Sequence, residues 1–331
     1  MIKLKTYHYT DNQVFGCEAF SILIPEGWSF SGGLVWRWHP TMPGAFNFSV
    51  RSSSGTEELR ILPSMPYCWN SNPMSMFTFP EGSNYMGNEV RRPVSGYLQY
   101  IKDYILRGYG AGARIAKADN SPGLADSLRA ENQGGFGTSV HVDAGTARLE
   151  YQRDGIEYEE DISCGVVFVN MMYGFMTWTA DKVVTTRAPR GKLDDNTRLF
   201  MTMLKSLKLD LNWYNLYCQY VQSLVQYGVQ DIYNAGLISR IVSNTYNSIS
   251  DMVRSSYERQ QAAYSRVYAG ISESIRGVNS YYDPYKGYGV ELPGGYRYAY
   301  GNSLGEYIFT DNPNFNPNIG SNINWSPLNR T

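Results

Sequence analysis

The sequence predicts an α+β fold, in which an antiparallel sheet is sandwiched with helices and is followed by a long helix or helical hairpin and a small C-terminal β-meander. Three observations support this prediction. Residues 1–211 mix alternating apolar and polar segments with short helical patterns, residues 212–278 are helical in pattern throughout, and residues 279–331 are rich in Tyr, Asn, Gly and Pro. We therefore predict an α/β sandwich domain, a helical region and a Tyr/Asn/Gly-rich β-meander tail with these boundaries.

The composition limits the classes of function. The chain has 331 residues, with 29 Lys and Arg against 30 Asp and Glu, so its formal net charge is −1. A nucleic-acid-binding protein would carry a basic excess, and this class is therefore not expected. The 43% hydrophobic content is sufficient for a buried core.

The location of the protein is predicted from its apolar segments and cysteines. No apolar run follows the basic start of the chain, and the longest apolar stretch, Cys164–Trp178, is shorter than the roughly 20 residues of a membrane-spanning helix. The four cysteines are widely spaced and contain no C-x-x-C pair, which favours free thiols in a reducing compartment. We expect a cytoplasmic protein without a transmembrane segment, and leave leaderless export open.

The first strands and the first helix follow from local patterns. Phe20–Ile24, Leu34–Trp38 and Phe46–Val50 have the alternation of half-buried strands. A helix is predicted to begin at Pro93 and to end at Gly108, because its apolar residues recur at helical spacing.

The clearest local signal is Asp154-Gly155, which lies between two alternating segments and predicts a type I′ hairpin. In this register Glu150 lies opposite Glu159. The residues predicted to share the core face are Leu149, Tyr151, Tyr158 and Ile162. One further strand is predicted over Val166–Thr179, and a helix over Asp194–Leu207 with acidic residues at its start and lysines at its end.

Two segments carry a family resemblance. Phe20–Trp28 reads FSILIPEGW, and Ala188–Asp194 reads APRGKLD before the helix that leads to Trp213. Both resemble elements of the Mog1/PsbP/DcrB-like superfamily, over about residues 17–213. The resemblance implies an α/β/α sandwich around an antiparallel sheet, and a binding role as a non-catalytic partner of larger assemblies. Residues 257–296 resemble the tail of uncharacterised bacterial proteins, which implies no particular activity.

The helical region contains an apolar seam. After an amphipathic segment that ends near Gly228, apolar residues repeat at spacings of three and four between residues 245 and 276. A straight helix of that length would measure about 48 Å, against a diameter of roughly 43 Å for the preceding domain. The seam, with Tyr264, Ile271 and Ile275 as its candidate binding residues, either packs on its own chain or needs a partner protein or a second copy.

The tail is predicted to form a three-stranded meander over Tyr288–Leu292, Tyr296–Tyr300 and Glu306–Thr310. A sheet of this size needs a covering surface. Tyr and Trp suit interfaces because they combine an apolar ring with a polar group. Tyr298, Tyr300 and Trp325 are therefore candidate residues for binding a protein, a peptide or a glycan.

The sequence contains few patterns typical of catalysis. His8, His39 and His141 lack metal-binding spacing, and no nucleophile-elbow or phosphate-binding motif is present, so we expect neither a metal nor a cofactor. Weak catalytic candidates are Glu150 and Glu159, because two close carboxylates can raise a pKa. A solvated face relieved by Arg148 opposite Asp161 is the simpler interpretation.

These observations favour a bacterial, non-enzymatic interaction or scaffold protein that acts through the helical seam and the aromatic tail. The alternatives are a carboxylate-dependent hydrolase and a glycan- or peptide-binding module. The predicted partner is another protein or a second copy of the chain, and a small-molecule ligand is left open.

Overall fold

The computed structural model describes residues 2–110, 112–135, 137–227, 235–244, 249–266, 278–293 and 296–330. The chain is mixed α/β, with curled sheets. The strands are β1 Ile2–Thr10, β2 Glu18–Pro25, β3 Ser29–Trp36, β4 Gly44–Arg51, β5 Glu58–Ile61, β6 Met65–Asn70, β7 Asn84–Tyr85, β8 Asn88–Val90, β9 Arg114–Asn120, β10 Ser139–Arg153, β11 Ile156–Asn170, β12 Phe175–Pro189, β13 Lys208–Leu209, β14 Val278–Asp283, β15 Tyr288–Pro293, β16 Tyr298–Asn302, β17 Tyr307–Thr310, β18 Trp325–Pro327 and β19 Asn329–Arg330. The helices are α1 Pro73–Thr78, α2 Tyr97–Tyr100, α3 Pro122–Glu131, α4 Leu193–Ser206, α5 Leu211–Tyr227, α6 Ala235–Asn244 and α7 Asp251–Arg266.

The largest sheet is organised around the antiparallel strands β10, β11 and β12, each of 15 residues. The predicted hairpin between β10 and β11 is confirmed. Asp154 and Gly155 have φ values of 51° and 78°, as a type I′ turn requires, and Glu150 pairs with Glu159. The four residues predicted to share its core face are all buried in one cluster.

The single strand predicted over Val166–Thr179 is wrong. The chain turns at residues 171–174, so this stretch is the end of β11 and the start of β12. Tyr173 and Gly174 both have positive φ, which lets the chain reverse. The mostly apolar composition of the segment hid this turn, because Asn170 and Gly174 are its only residues typical of turns and the residues between them are apolar or aromatic.

The described strands form three sheets. Strand order is β3-β4-β5-β12-β11-β10-β9 in the largest, to which β6, β7 and β8 are attached, and β13-β2-β1-β17-β16-β18 in the second. The third is β15-β14-β19. The predicted C-terminal meander is confirmed in part: its three strands exist, and β16 pairs with β17. Its first strand is placed wrongly, because β15 pairs with β14 instead of β16. β17 also pairs with β1.

Hydrophobic side chains gather in three clusters. The first lies between the largest sheet, β2 and the helices α3 to α7, and the second lies where α2 and the π-helical turn after it cover the other part of β10–β12. The third joins β1 and β17 to β14 and β15. The first cluster therefore unites the sheet with the helical region of the chain.

The helical region packs on its own chain over the residues that are described. In α5, Leu216, Tyr220 and Leu224 are buried, as the sequence pattern predicts. α7 begins at Asp251, after two residues without regular structure, and buries Val253 and Tyr264 in the first cluster. A single straight helix from residue 245 is therefore wrong, because residues 249 and 250 interrupt it. Residues 245–248 and 267–277, including Ile271 and Ile275, lie outside the described residues.

Candidate functional site

A β-bulge in β12 places two oppositely charged neighbours together. Ser163 pairs with Val184 and Gly165 pairs with Asp181, so Cys164 faces two residues of β12. Lys182, one of those two, has φ +50°, a conformation that is unfavourable for a residue with a Cβ. Successive side chains of a regular strand point to opposite faces. At this bulge the Lys182 Nζ instead lies 3.5 Å from the Asp181 Oδ2.

The Lys182 ammonium is buried and fully surrounded. Its side chain is 3% exposed, and its Nζ donates to the Glu131 Oε2 at 3.3 Å and to the Gln260 Oε1 at 3.0 Å. The ring of Tyr264 lies below it, 4.8 Å from Nζ to the ring centroid. We call Lys182, Asp181, Glu131 and Gln260 the Lys182 cluster.

Close packing of α3 on the sheet brings Glu131 to this point. Leu128 lies against Gly165, where any Cβ would collide with the leucine side chain. Glu131 follows Leu128 by three residues on α3, and helical residues at that spacing share a face. Gln260 arrives from α7 and donates its Nε2 to the Glu131 Oε2 at 2.9 Å. Three elements that are distant in sequence therefore meet at one ammonium.

The charge states follow from burial and pairing. Burial lowers the pKa of Lys182, but the attraction of Asp181 and Glu131 exceeds that effect and the net pKa is raised. Burial raises the pKa of Asp181, but Lys182 and the hydroxyl of Ser64, which donates to Oδ1 at 2.5 Å, leave it lowered overall. Burial raises the pKa of Glu131, and Lys182 only partly offsets this. The lysine and the aspartate are thus a stable ion pair, and the glutamate is the group most ready to exchange a proton.

One atom of this cluster has no partner. The Glu131 side chain is 5% exposed, and its Oε1 is buried without a hydrogen-bond donor in the part of the chain that the structure describes. A buried polar group without a partner destabilises a protein by about 1–3 kcal/mol. Such atoms are rare and are found where a ligand or another group completes the hydrogen bonding.

A cavity of about 420 Å³ adjoins the cluster, and Glu131, Asp181, Lys182 and Gln260 all line it. Its other walls come from α5, α7 and the segment between β3 and β4. The aromatic lining residues are Phe46, Trp213, Tyr214, Tyr217 and Tyr264. This combination of aromatic walls and a few convergent polar groups is typical of small-molecule sites, whose volumes run from about 300 to 1,000 Å³.

The chemistry of the cavity suits binding better than nucleophilic attack. Lys182 is held protonated, and an ammonium is not a nucleophile. Cys218 also lines the cavity, but burial raises the pKa of its thiol, so it is not activated. Asp181 has a lowered pKa and is a weak base for Ser64.

Tyr264 is the sequence-predicted binding residue that the structure places at this cavity. Glu150 and Glu159 lie elsewhere, opposite each other at the surface end of the β10–β11 hairpin. Arg114 pairs with Glu150 at 2.5 Å, and the backbone N–H of Gly191 donates to Glu159 at 3.1 Å. Each carboxylate thus has its own partner.

The tail candidates have different surroundings. Trp325 is 5% exposed, pairs through β18 with β16 and lies against the Lys3 ammonium. Tyr300 is partly buried and donates its hydroxyl to the carbonyl oxygen of Phe315 at 3.4 Å, whereas Tyr298 is exposed. A binding role for these residues stays a prediction.

Sequence reasoning missed the Lys182 cluster. One signal was available, because Asp181 and Lys182 are adjacent charges inside a stretch that is otherwise apolar or hydroxylated, from Phe175 to Thr186. Charges in a buried strand need partners. The sequence did not indicate which residues these would be, since Glu131 and Gln260 are separated from the pair by about 50 and about 80 residues.

Three sequence-based expectations concern the state of the cysteines, a metal site and membrane-spanning helices. All four cysteines are free thiols. Within the described ranges, no three His, Cys, Asp or Glu side chains are grouped as a metal site would need. In the same residues no helix combines the length and apolar character that crossing a membrane requires.

Comparison of the chain with known proteins gives no match to a family model and no match to a curated protein.

Proposed function

We propose that this is a binding protein that holds a small molecule in the cavity beside the Lys182 cluster. The observation that carries the proposal concerns Glu131, whose Oε1 is buried without a partner among the described residues and whose side chain lines a cavity of about 420 Å³. A donor group of a ligand would satisfy this oxygen and remove its desolvation penalty.

The backbone at Lys182 gives independent support. A lysine with φ +50° is strained, and strained residues of this kind are concentrated at binding and catalytic sites, where the surrounding structure holds them. Here the strain has an identifiable result, because the bulge turns Lys182 and Asp181 toward the same cavity.

The finer layout of the fold is also a proposal. We propose that residues 17–213 follow the Mog1/PsbP/DcrB-like arrangement implied by the resemblance of their sequence. The mixed α/β architecture is compatible with it. This resemblance implies a non-catalytic binding role, which agrees with the binding function proposed above. A continuation of α7 from residue 266 towards residue 276 is likewise proposed, since α7 accounts for residues 251–266 of the predicted helix.

The binding function is tested by introducing a larger side chain at one wall of the cavity. Val221 lines the cavity on α5, and Val225, one turn further along the same helix, is 61% exposed and is not among the lining residues. The full chain is dialysed against a defined mixture of amines, sugars and carboxylic acids, and retained compounds are identified by mass spectrometry. We expect retention by the wild type and by Val225→Phe, and loss of retention in Val221→Phe.

Retention that is equal in the two variants, or absent from the wild type, would contradict the proposal. Thermal unfolding of both variants shows whether either substitution disturbs the fold. Both valines lie on α5 and both are replaced by phenylalanine, so a difference in ligand retention between the two variants reports on the cavity.

A second candidate function is self-association through the tail. Tyr282, Tyr285, Tyr288 and Tyr298 are each more than a third exposed, and they lie on or next to β14, β15 and β16. Exposed tyrosines are typical of protein interfaces. This candidate retains the sequence-based proposal of a scaffold acting through its aromatic tail, with a second copy of the chain as the partner.

Light scattering at increasing protein concentration tests this second candidate. We expect a dimer mass that is lost in Tyr282→Ser and kept in Tyr173→Ser, which alters a 90% exposed tyrosine at the β11–β12 turn. A strict monomer at all concentrations would remove the self-association proposal.

A further inference from the structure

The hydrogen bonds of the Lys182 cluster indicate which chemical group is missing. An ammonium has three protons. The Lys182 Nζ faces three side-chain acceptors, on Glu131, Gln260 and Asp181, at 3.3, 3.0 and 3.5 Å. Its donors are therefore all used within the protein, and none is left for an anionic ligand.

The other polar atoms of the cluster are also used. The Asp181 Oδ1 accepts from the Ser64 hydroxyl and from the backbone N–H of Lys182. Gln260 accepts from Lys182 through its Oε1 and donates to Glu131 through its Nε2. The atom left over in this cluster is an acceptor, the Glu131 Oε1.

The charged groups around the cavity have both signs. Among the described residues, the charged side chains that line the cavity are Lys182, Asp181 and Glu131, which sum to −1 when all are ionised. Two cations act on this group from outside the lining: Arg259 of α7 lowers the pKa of Glu131, and Arg37, beyond the end of β3, interacts with Asp181. Because these arginines offset the negative charge of the lining, it is the unpartnered acceptor that indicates a ligand with a donor group.

The aromatic walls suit a cation attached to an apolar body. An ammonium is attracted to the face of a tyrosine or tryptophan ring. Lys182 already lies in this geometry over Tyr264, which shows that the site holds an ammonium on a ring. Trp213, Tyr214 and Tyr217 provide further ring surface in the same cavity.

We propose that the ligand is a small organic amine, whose ammonium donates to the Glu131 carboxylate and whose apolar body lies between the tyrosine and tryptophan rings. This inference rests on the proposed binding function. A carboxylate has no proton to donate to this acceptor, and the hydroxyl groups of an uncharged sugar would donate without the added attraction of opposite charges.

The proposal is tested by calorimetric titration of the full chain with three compounds of nearly equal shape. Tyramine carries the ammonium, 4-ethylphenol has a hydrogen in its place, and 3-(4-hydroxyphenyl)propionate has a carboxylate in its place. We expect tyramine to bind with a Kd at least about tenfold lower than either analogue, which is the effect of one charge-assisted hydrogen bond. Cadaverine, an aliphatic diamine, serves as a second amine.

Two substitutions locate the ammonium. Glu131→Gln removes the charge and keeps the shape, and we expect it to raise the Kd for tyramine about tenfold while changing that for 4-ethylphenol less than about threefold. Glu258→Gln removes an exposed carboxylate of α7 that does not line the cavity, and it should leave both values unchanged. A thermal melt confirms that each variant is folded.

Proton release provides a readout that a structural role of Glu131 would not change. Burial raises the pKa of this carboxyl, and a bound ammonium would favour its ionised form. Amine binding should therefore release protons and tighten as the pH rises through the pKa of Glu131. Titration in two buffers with different ionisation enthalpies measures this release, which Glu131→Gln should abolish.

The outcomes separate the two proposals. If the three phenolic compounds bind equally and Val221→Phe blocks all of them, the cavity binds small molecules and the amine inference is wrong. If neither amine binds, the amine inference is also wrong, and retention in the dialysis experiment decides the binding function by itself. Binding of calcium or manganese that depends on Glu131 would replace the amine with a metal ion and overturn the inference.

Discussion

Two buried ionic groups lie on the same three long strands and differ in how completely their hydrogen bonds are made. In the second hydrophobic cluster, Glu160 of β11 is 1% exposed and both of its oxygens have donors. Tyr151 donates to Oε2 at 2.6 Å, and Tyr109 and Arg60 donate to Oε1 at 2.9 and 3.3 Å. In the Lys182 cluster the carboxylate of Glu131 has donors at one oxygen and, among the described residues, none at the other.

The difference distinguishes a structural ion from one that is available for binding. Glu160 is held by its own chain on every side, so its charge fixes the positions of Tyr109 and Tyr151. Glu131 has an acceptor in excess, next to a cavity and to a strained lysine. Buried charge alone does not identify a site, since both groups are buried. Glu131 differs from Glu160 in one unfilled hydrogen bond, at Oε1. Several other buried side-chain atoms of the described residues, such as the Arg187 Nε, also lack a partner, so this feature indicates a site only together with the adjoining cavity.

The largest effect is expected from removing the cation between the two carboxylates. Lys182→Met would leave Asp181 and Glu131 buried without it, and breaking a buried ion pair in this way costs about 3–5 kcal/mol. Urea denaturation should show this loss in the free energy of unfolding. Lys117→Met, which alters an exposed pair with Asp119, should change it by less than about 1 kcal/mol. Equal effects of the two would show that the Lys182 cluster is not a buried ionic network.

A smaller loss is expected in the completed group. Glu160→Gln keeps the shape but weakens charge-assisted hydrogen bonds from Tyr151, Tyr109 and Arg60, so the free energy of unfolding should fall by about 1.5–3 kcal/mol. The exposed Glu157→Gln is the matched control on the same strand. Ligand retention should be unchanged in Glu160→Gln, and its loss would mean that the two groups are coupled.

The smallest effect on stability is expected at Glu131, and its sign depends on pH. The folded-state pKa of Glu131 is raised above its ordinary value of 4.5, so the folded protein holds this proton more tightly than the unfolded chain does. Wild-type stability therefore falls as the pH rises from about 4.5 through the raised pKa. Glu131→Gln lacks this loss.

Denaturation at about pH 5 and about pH 8 measures this effect. The stability of Glu131→Gln relative to the wild type should increase from the lower to the higher pH, by about 1 kcal/mol or less. A relative stability that decreases with pH would mean that folding stabilises the charged form of the glutamate and lowers its pKa.

A structural feature of this protein is predictable from the sequence when residues close together in the chain determine it. The β10–β11 hairpin was predictable because Asp154 and Gly155 impose their turn locally, and the register follows from it. The turn at Tyr173 and Gly174 was not, because it lies within an apolar run that carries no alternation. The pairing of β16 with β17 was predicted, but the pairings of β15 with β14 and of β17 with β1 were missed. Partners as distant in sequence as β1 and β17 leave no periodic signal.

The candidate site follows the same rule. Tyr264 was identified because it belongs to a helical seam with visible spacing. Lys182 and Asp181 were visible as charges within a strand, but a bulge and a left-handed lysine conformation cannot be deduced from residue types. The meeting of Glu131 and Gln260 at one ammonium depends on the packing of α3 against α7, which only the folded chain specifies.

The pairing of β1 with β17 has a consequence for how the protein is made. Residues 2–4 form their ladder with residues 307–309, so the second sheet joins two strands that are synthesised about 300 residues apart. Until β17 is made, β1 has an open edge on that side, which is prone to wrong association. Nascent chains released before residue 307 should accordingly depend on chaperones much more than the finished polypeptide does.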